Sequence, residues 1–384
     1  MKNIAVIFGG VSCEHDISII TGVSACRALS AAHRLLPVYI DRLGSWHTGS
    51  ALLDMSVYKA ADIGRVKDVR GACVIPGSNR LYIKKGARLK ELCRIHCAVL
   101  CTHGLNGEDG SLQGLLQLCH IPYTGSGVFG SACGMDKVMT KRLLAGAGVS
   151  QLNFISAEKE AFESDEDGAV LEIEKKIGFP AIVKPANLGS SIGIGIAKDA
   201  AELKEALATA FSFDLRALVE PALSDFTELN CAALSCGGQV LTSALEQPLT
   251  VNEILTFDDK YRGGAKHGTE KKRFPADVPA ETALEVKRIT AQAYRLLGLG
   301  GVVRADFLLK DGRLYLNEVN TIPGSLAYYL WRLEGIGYRE LIDIMITQAE
   351  RDFSMRRALK HAYASDVLTA YVPSGKTIAK YEEI

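Results

Sequence analysis

The stretch that decides the fold runs from Val303 to Gly324 and reads VRADFLLKDGRLYLNEVNTIPG. Its two apolar runs, joined by Lys-Asp-Gly-Arg, predict a β-hairpin. Alternate residues of a strand share one face, so Arg304 and Asp306 lie together on the first strand, as do Glu318 and Asn320 on the second. The hairpin therefore carries two polar pairs, and the turn decides whether they meet.

Two turn geometries predict different registers. A two-residue Asp-Gly loop sets Asp306 against Asn317 and turns Glu318 to the other face. An odd-length loop or a bulge sets Asp306 opposite Glu318 and Arg304 opposite Asn320. The simpler interpretation is a solvated face with cross-strand ion pairs. The alternative is a site for a hard cation such as Mg²⁺, because opposed carboxylates repel unless a cation separates them.

Composition indicates an ordinary soluble enzyme. A length of 384 residues predicts roughly two to three domains. Lys plus Arg equals Asp plus Glu at 44 each, so no overall charge favours nucleic acid or anionic lipid as a partner. The opening MKNIAVIFGG is too short for a signal-peptide core, and no apolar run reaches transmembrane length. We expect a cytoplasmic protein with no membrane or nucleic-acid partner.

The ten cysteines contain no C-x-x-C pair. Their densest cluster could be read as a zinc site formed by Cys93, His96, Cys97, Cys101 and His103. However, HCAVLC reads as a buried strand, and free cysteine is a common core residue. Reduced core cysteines are the favoured interpretation.

Strand and helix signals alternate in the N-terminal part. NIAVIF, RLLPVYI and CAVLC read as strands of a parallel sheet, with a helix beginning near Cys13. The segment from residue 41 to 90 is polar and irregular, and we expect it to elaborate the first domain. The sequence ETALEVKRITAQAYRLLG predicts a long helix before the hairpin.

Two common nucleotide-binding motifs fail. PSGKT at Pro373 resembles the end of a P-loop, but Ala370 stands where that motif needs glycine. A G-x-G-x-x-G sequence begins at Gly125 but does not follow the first strand of a βαβ unit, and GGVSCEH after the first strand lacks the third glycine. A nicotinamide-dependent dehydrogenase is therefore only a remote alternative.

PAIVKPANLGSSIGIG is a stronger phosphate-binding candidate. Lys184 closes an apolar strand, where a lysine needs an anionic partner. The loop that follows offers glycines, two hydroxyls and successive backbone N–H groups, although a plain turn would look similar. Lys137 lies in the first turn of the MDKVMTKRLL helix, where a cation opposes the helix dipole. A solvated lysine is the alternative there.

Six segments now form a set: GGVSCEHDIS, HGLNGEDGSLQG, YTGSG…MDK, VKPANLGSSIG, VRADF and NEVNTIPG. In this order they resemble the D-alanine–D-alanine ligases of the ATP-grasp superfamily, over roughly residues 3 to 350. The resemblance implies an α/β protein, α+β in its ATP-binding part. Its expected parts are an N-terminal Rossmann-like domain with an open parallel sheet (1–125), a central ATP-grasp subdomain (126–220), a C-terminal ATP-grasp subdomain with a magnesium site (221–355) and a tail of unknown role (356–384).

The resemblance also implies the chemistry. ATP phosphorylates the carboxylate of a first D-alanine, and the amine of a second amino acid attacks the acyl phosphate, which supplies peptidoglycan precursors. The implied cofactors are ATP and two Mg²⁺ ions, with Mn²⁺ as an alternative ion. The implied partners are small-molecule substrates, and homodimers are common in the family.

Substrate-side roles are carried over by motif. Glu14 looks like the catalytic carboxylate that orients the first substrate's ammonium, and His103 lines the same subsite. Without the resemblance they would read as an acid favoured by a helix dipole and a strand-end histidine. Arg304 and the Gly324 backbone resemble the groups that stabilise the tetrahedral oxyanion and bind substrate.

ATP-side roles follow in the same way. Lys137 and Lys184 resemble the lysines on the phosphates, and Ser190 and Ser191 lie in the loop that closes over them, with Ser190 also counted as catalytic. Glu220 and Glu228 match the acids near adenine and ribose. The mobile covering loop, which supplies a catalytic tyrosine, is matched by Lys260 and Tyr261. The metal ligands of the family are matched by Asp306, Glu318 and Asn320. Of these, Asn320 is also expected to contact the substrate.

One segment departs from the family pattern. After NTIPG the family usually places a serine that holds the second substrate's carboxylate, and here Tyr329 occupies that position. Ser325 or Tyr329 could supply the hydroxyl instead, and Pro221 stands where a lysine often follows the adenine-side acid. Tyr261 favours an amino-acid acceptor. D-alanine is the expected acceptor, with D-serine or another amino or hydroxy acid as the alternative.

A non-catalytic nucleotide-binding protein is the remaining alternative. Such a protein would be expected to have lost Arg304, Asp306 or Glu318, and all three are present.

Overall fold

The computed structural model describes residues 1–29, 31–60, 62–249, 272–360 and 365. The chain divides into two units, Met1–Glu350 and Arg351–Ile384. In the second unit the described residues continue the last helix to Arg357 and extend a few positions further. All sheets of the described residues lie in the first unit.

The first sheet has seven strands in the order β6-β5-β4-β3-β2-β1-β7. Its strands are β1 (Lys2–Gly9), β2 (His33–Ile40), β3 (Trp46–Thr48), β4 (Arg70–Ile75), β5 (Ser78–Lys85), β6 (Arg88–Arg94) and β7 (Cys97–Leu100). The three strands predicted from apolar runs are β1, β2 and β7, and β1 pairs in parallel with both of the others. Residues 4–8 of β1 are fully buried, as expected for a strand covered on both faces.

The segment from 41 to 90 differs from the expectation of an irregular elaboration. It adds β3 to β6 to the β2 edge of the same sheet, all antiparallel. On β5 only alternate residues such as Leu81 and Ile83 are buried, and the charged edge strand β6 is almost entirely exposed. Strands with so few buried positions carry a weak sequence signal, and charged side chains are typical of sheet edges.

The second and third sheets are antiparallel. The second has the order β10-β9-β11-β8 and comprises β8 (Ile155–Glu158), β9 (Ala181–Pro185), β10 (Gly195–Ala197) and β11 (Arg216–Pro221). The third has the order β14-β13-β12-β15-β16 and comprises β12 (Thr227–Cys236), β13 (Gln239–Pro248), β14 (Lys272–Arg273), β15 (Val302–Lys310) and β16 (Arg313–Asn320).

Helices cover the sheets. They are α1 (His15–Ala28), α2 (Ser111–Leu118), α3 (Val128–Met135), α4 (Lys137–Gly146), α5 (Lys159–Ser164), α6 (Glu166–Lys176), α7 (Ala200–Phe211), α8 (Ala280–Leu296) and α9 (Tyr338–Arg357). Short 3₁₀ segments lie at Ser50–Leu53, Met55–Lys59, Ile63–Arg65 and Gly324–Glu334. Helix α8 is the long helix predicted before the hairpin, and its apolar face packs on the third sheet. No helix in the described ranges is long and apolar enough to cross a membrane.

The β15–β16 turn is the two-residue loop. Lys310 pairs with Arg313, and the two intervening residues, Asp311 and Gly312, have φ of 50° and 74°. Positive φ at both central positions is the type I′ geometry that matches the twist of a hairpin.

A bulge then changes the register. The pairing shifts next to Asp306 and leaves Asn317 as the extra residue of β16. As a result Asp306 lies opposite Glu318, and Arg304 lies opposite Asn320. The hairpin thus combines the Asp-Gly turn of one predicted register with the cross-strand pairs of the other.

Candidate active site

A row of polar residues crosses the third sheet. Glu246 on β13 pairs with Asn230 on β12, Asn230 pairs with Asp306 on β15, and Asp306 pairs with Glu318 on β16. Directly paired residues point to the same face of a sheet. The sequence indicated the last two members of this row, and Glu246 and Asn230 join them through strand register alone.

Asp306 is held by its neighbours on that face. Its two carboxylate oxygens accept hydrogen bonds from Nε and Nη2 of Arg304, each 2.7 Å long, and Asn320 Nδ2 donates a third at 3.0 Å. Burial opposes the charge on Arg304, but the Asp306 carboxylate outweighs it and raises the arginine pKa. A paired arginine and a buried carboxylate form a rigid base to the site.

The donor set of the hairpin fits a hard cation. Asp306 and Glu318 present carboxylates from paired positions, and Asn320 adds an amide oxygen; these are the ligand types that Mg²⁺ and Mn²⁺ take in proteins. By contrast, within the described part of the chain no three His, Cys, Asp or Glu side chains are grouped to hold a metal. The zinc interpretation therefore has no support, and Cys97 and Cys101 are buried core residues.

An open cleft of about 930 Å³ separates the second sheet from the hairpin. Its charged end is lined by Lys137, Lys184, Asp306 and Glu318. Its other lining residues include Glu228 and a group of apolar side chains: Leu152, Ile182, Ile196, Leu223, Phe226 and Leu308. A cleft lined both by apolar side chains and by charged groups suits a ligand that joins a flat ring to phosphates.

Lys184 lies at the end of β9 and is almost buried. Its Nζ donates to Glu220 Oε2 at 2.8 Å and to Asn317 Oδ1 at 3.0 Å. Glu220 is fully buried, and its other oxygen lies 2.6 Å from Lys141 Nζ. Burial raises the pKa of Glu220, but the two lysines outweigh burial and the net shift is downward. Both oxygens of this acid thus face lysines, and the position beside adenine that the resemblance implies stays a prediction.

Lys137 is positioned by the start of α4. The preceding Asp136 caps the helix by accepting the Met139 N–H, and it also pairs with Arg216 of β11. Lys137 Nζ donates to the Leu188 carbonyl at 2.5 Å and lies 3.7 Å from Glu318 Oε2. The lysine therefore lies between the glycine-rich loop and the hairpin.

The loop after β9 meets the first domain at Glu14. Ser190 Oγ donates to Glu14 Oε1, and Ser190 and Ser191 both have positive φ, 53° and 57°. A Cβ atom on Gly189 would lie 2.7 Å from Glu14 Oε2, so a side chain here would displace the carboxylate or the loop. Burial, followed by the negative charge of Glu108, raises the pKa of Glu14.

A second cavity of about 490 Å³ adjoins the cleft. Lys137, Leu188 and Glu318 line both cavities. The second cavity is also lined by Glu14 and Asn320. It therefore connects Glu14, the carboxylate predicted to bind the substrate ammonium, with the predicted metal ligands.

His103 is buried next to this cavity. Its Nε2 lies 2.9 Å from Thr21 Oγ1, and its Nδ1 lies 3.6 Å from Glu108 Oε1. Burial lowers the pKa of the imidazole, but Glu108 and then Glu14 outweigh burial, and the net shift is upward.

Glu108 is a site residue to which the sequence analysis gave no role. It accepts hydrogen bonds from Thr321 Oγ1 and the Ile322 N–H, both at 2.9 Å, and from the Gly104 N–H at 3.1 Å. One carboxylate thereby joins the HGLNGEDG loop to the segment that leads to Gly324. The available signal was its place in the HGLNGEDG motif, two residues before Gly110.

The segment after Gly324, whose sequence differs from the family pattern, begins with a left-handed turn. Ser325, Leu326 and Ala327 have φ of 51°, 53° and 45°, a conformation that costs about 1 kcal/mol or more per residue. The Ser325 N–H donates to Thr21 Oγ1 at 3.0 Å, and Thr21 in turn contacts His103. Ser325 is therefore connected to the first subsite through its backbone.

Tyr329, predicted to contact the second substrate, has a carboxylate as its hydrogen-bond partner within the chain. Its hydroxyl donates to Glu246 Oε2 at 3.0 Å, and Lys272 pairs with Glu246 Oε1 at 2.7 Å while lying 4.0 Å from the centre of the tyrosine ring. Neither Tyr329 nor Ser325 is among the residues that line the two cavities above. Lys260 and Tyr261, predicted for the covering loop, lie outside the described residues.

Comparison with known families gives two matches. The model described as "D-ala D-ala ligase N-terminus" matches residues 3–126, and the one described as "D-ala D-ala ligase C-terminus" matches residues 143–347. A D-alanine–D-alanine ligase of Thermosipho africanus is 35% identical over 361 residues, covering 93% of this chain and 96% of the relative. One from Bacillus cytotoxicus is 33% identical over 366 residues, covering 93% and 98%.

Solved structures give the same result. The D-alanine–D-alanine ligase of Coxiella burnetii aligns with a TM-score of 0.78 at 25% identity, covering 93% of this chain and 96% of that one. The VanG D-Ala:D-Ser ligase of Enterococcus faecalis aligns with a TM-score of 0.77 at 26% identity, covering 91% and 99%.

Proposed function

Since the chain belongs to the D-alanine–D-alanine ligase family, we propose that it joins D-alanine to a second D-alanine with consumption of ATP, for cell-wall precursor synthesis. The observation that carries this proposal is the cleft that brings together Lys137, Lys184, Asp306 and Glu318 beneath the glycine-rich loop. The fold is the ATP-grasp fold, with an α/β N-terminal domain and two antiparallel sheets around the cleft.

The domain limits are part of the proposal. We assign residues 1–125 to the first-substrate side, 126–220 and 221–355 to the two subdomains that hold ATP, and 356–384 to a tail without an assigned role. The cytoplasm is the compartment that the proposal implies, because ATP is supplied there. A homodimer is the assembly we would test first by light scattering.

Nucleotide binding uses both ends of the cleft. Adenine fits among its apolar residues, the ribose reaches Glu228, and the phosphates lie at Lys137 and Lys184 under the backbone of the glycine-rich loop. Phosphoryl transfer depends on positioning and charge neutralisation more than on a protein nucleophile, so cations and backbone N–H groups are the groups required at this end of the cleft. The adenine-side role of Glu220 stays a prediction, and Pro221 and Ala222, which line the cleft, offer backbone groups at that position.

Asp306, Glu318 and Asn320 would hold Mg²⁺ or Mn²⁺, two ions in the full complex, and the metal would neutralise charge on the transferring phosphoryl group. On the protein's side, Glu14 orients the ammonium of the first D-alanine so that its carboxylate faces the phosphates. Ser190, bonded to Glu14, keeps the loop closed over them. A closed site protects an acyl phosphate from water.

The ligation step follows by attack of the second substrate's amine on the acyl carbonyl. Phosphate leaves with the oxygen that it received from the carboxylate, and the amine loses one proton. In this proposal Arg304, which is hydrogen-bonded to Asp306, and the Gly324 N–H stabilise the negative charge that develops on the carbonyl oxygen. Tyr261 and Lys260 belong to the covering loop in this proposal.

D-serine is the second candidate acceptor. One observation favours it: Tyr329 replaces the usual serine, and its hydroxyl is committed to Glu246. A D-Ala:D-Ser ligase is also among the structural neighbours.

A product assay separates the two acceptors. The protein is supplied with ATP, Mg²⁺ and D-alanine, together with D-serine, D-lactate or D-alanine at equal concentration, and the products are identified by mass spectrometry. D-alanyl-D-alanine as the main product supports the first proposal. D-alanyl-D-serine as the main product would support D-serine as the acceptor. Failure to form a dipeptide with any acceptor would contradict both proposals.

A further inference from the structure

A buried lysine lies behind the proposed phosphate site. Lys141, one turn beyond Lys137 in α4, is only 1% exposed, and its Nζ lies 2.6 Å from Glu220 Oε1. Its ammonium also lies 5.9 Å from the centre of the Phe154 ring. A lysine is seldom fully buried unless it is paired, so its charge calls for a structural or functional reason.

Lys141 shares its partner with Lys184. Glu220 offers one oxygen to each lysine, at 2.6 Å and 2.8 Å, and is itself fully buried. Lys184 lines the cleft, whereas Lys141 is not among the cleft-lining residues. The group therefore has an inner lysine, a shared carboxylate and an outer lysine that faces the cleft.

The charges of this group do not cancel. Two ammonium groups and one carboxylate leave one net positive charge, at the end of the cleft where the phosphates are proposed to bind. If Lys141 were absent, Lys184 and Glu220 would form a neutral pair. An isolated charge is costly in a buried setting, so a surplus of one charge favours an anion in the cleft.

We propose that Lys141 is a positioning residue for ATP: by engaging one oxygen of Glu220, it leaves the charge of Lys184 available to the phosphates. The inference rests on the proposed function, because it assumes that this end of the cleft binds ATP. Lys141 itself does not touch the nucleotide. Its effect is transmitted through Glu220.

Calorimetric titration with Mg²⁺-ATP and with adenosine tests this directly. In Lys141→Met the linear side chain remains and the charge is removed. We expect the Kd for ATP to rise at least about tenfold, the size expected for loss of a charge-assisted contact. Adenosine carries no phosphate, so its Kd should change by less than about twofold. Lys204→Met, which removes a partly exposed lysine paired with Asp167, is the matched control and should leave both Kd values unchanged.

A double variant separates charge from packing. Adding Glu220→Gln to Lys141→Met removes the carboxylate as well, which again leaves one positive charge on Lys184. We expect this variant to bind ATP more tightly than Lys141→Met alone. Thermal unfolding checks that each variant is folded, and Lys141→Gln carries the same comparison if the methionine variant does not fold.

Two results would overturn the inference: wild-type ATP affinity in Lys141→Met, or equal losses of ATP and adenosine binding without recovery in the double variant. Neither bears on the proposed function, which would instead fail if the wild-type protein bound no ATP.

Discussion

The Asp306 carboxylate lies directly across the hairpin from Glu318, and it is held from its own strand by two 2.7 Å hydrogen bonds from Arg304. A bulge at Asn317 creates this pairing, because the two-residue turn alone would direct Glu318 to the opposite face. The same bulged residue accepts a hydrogen bond from Lys184. The local irregularity thus brings the proposed cation site and the proposed phosphate site together.

Glu318 should be required for turnover and not for folding. Glu318→Gln removes one of the two opposed charges, and we expect the rate of dipeptide formation to fall by roughly 10²-fold or more, because the metal loses a carboxylate ligand. The unfolding temperature should stay within a few degrees of the wild-type value, since the side chain is partly exposed. Glu172→Gln, at an exposed helix pair with Lys176, is the control. Near-normal turnover in Glu318→Gln would remove the metal assignment.

Gly189 should not tolerate a side chain. In Gly189→Ala the added Cβ would meet the Glu14 carboxylate at 2.7 Å, so the loop or Glu14 must move. Displacement of a positioning group by about 1 Å can lower kcat/KM by roughly 10²-fold. Gly146→Ala is the matched control, because a Cβ at that helical position has no atom within 4 Å. Equal kcat/KM values in the two variants would show that Ser190 and Glu14 need not be in contact.

Tyr329 should affect the acceptor and not the nucleotide. Tyr329→Phe removes the hydroxyl that donates to Glu246 and leaves that buried carboxylate with one fewer partner. We expect the KM for the second substrate to rise about tenfold while the KM for ATP stays unchanged. Initial-rate kinetics with each substrate varied in turn measure both. A change confined to the KM for ATP would place Tyr329 outside the acceptor subsite.

Glu14 should make the folded state less stable as pH rises. Burial and Glu108 raise its pKa above the ordinary value of 4.5, so between these two pKa values the folded state holds a proton that the unfolded state has lost. The free energy of unfolding contributed by this group therefore falls as pH rises through that window. Glu14→Gln removes the effect and keeps an oxygen for Ser190.

Urea denaturation at about pH 4 and about pH 8 tests this linkage. Glu14→Gln should be more stable than the wild type at the higher pH, and the difference should shrink at the lower pH. The same variant should lose ligase activity, because it no longer offers a charge to the substrate ammonium. Greater destabilisation of the variant at the higher pH would contradict the predicted sign of the linkage.

Sequence alone identified the elements with strong local signals. The continuous apolar runs of β1, β2 and β7 and the amphipathic helix α8 were predicted, and the hairpin was predicted with two registers left open. The choice between them depended on one bulged residue, Asn317, for which no local pattern gives evidence. Strands β3 to β6 were missed because few of their residues are buried.

Site residues divide in the same way. Motifs pointed to Lys184 and Asp306, and both residues line the cleft. Glu108 and Glu246 contribute through partners far along the chain, Ile322 and Tyr329, so their roles exist only in the folded molecule. Motif matching assigned Glu220 to adenine. Its contact with the buried Lys141 was not predicted, because no sequence motif marks that lysine.

Transfer of oxygen from D-alanine to phosphate is the measurement that tests the central claim most directly. The protein is incubated with ATP, Mg²⁺ and D-alanine labelled with ¹⁸O in its carboxylate, and the released phosphate is analysed by mass spectrometry. An acyl phosphate intermediate predicts that each phosphate carries one labelled oxygen and that one dipeptide forms with it. Unlabelled phosphate, or phosphate release without D-alanine, would contradict the account.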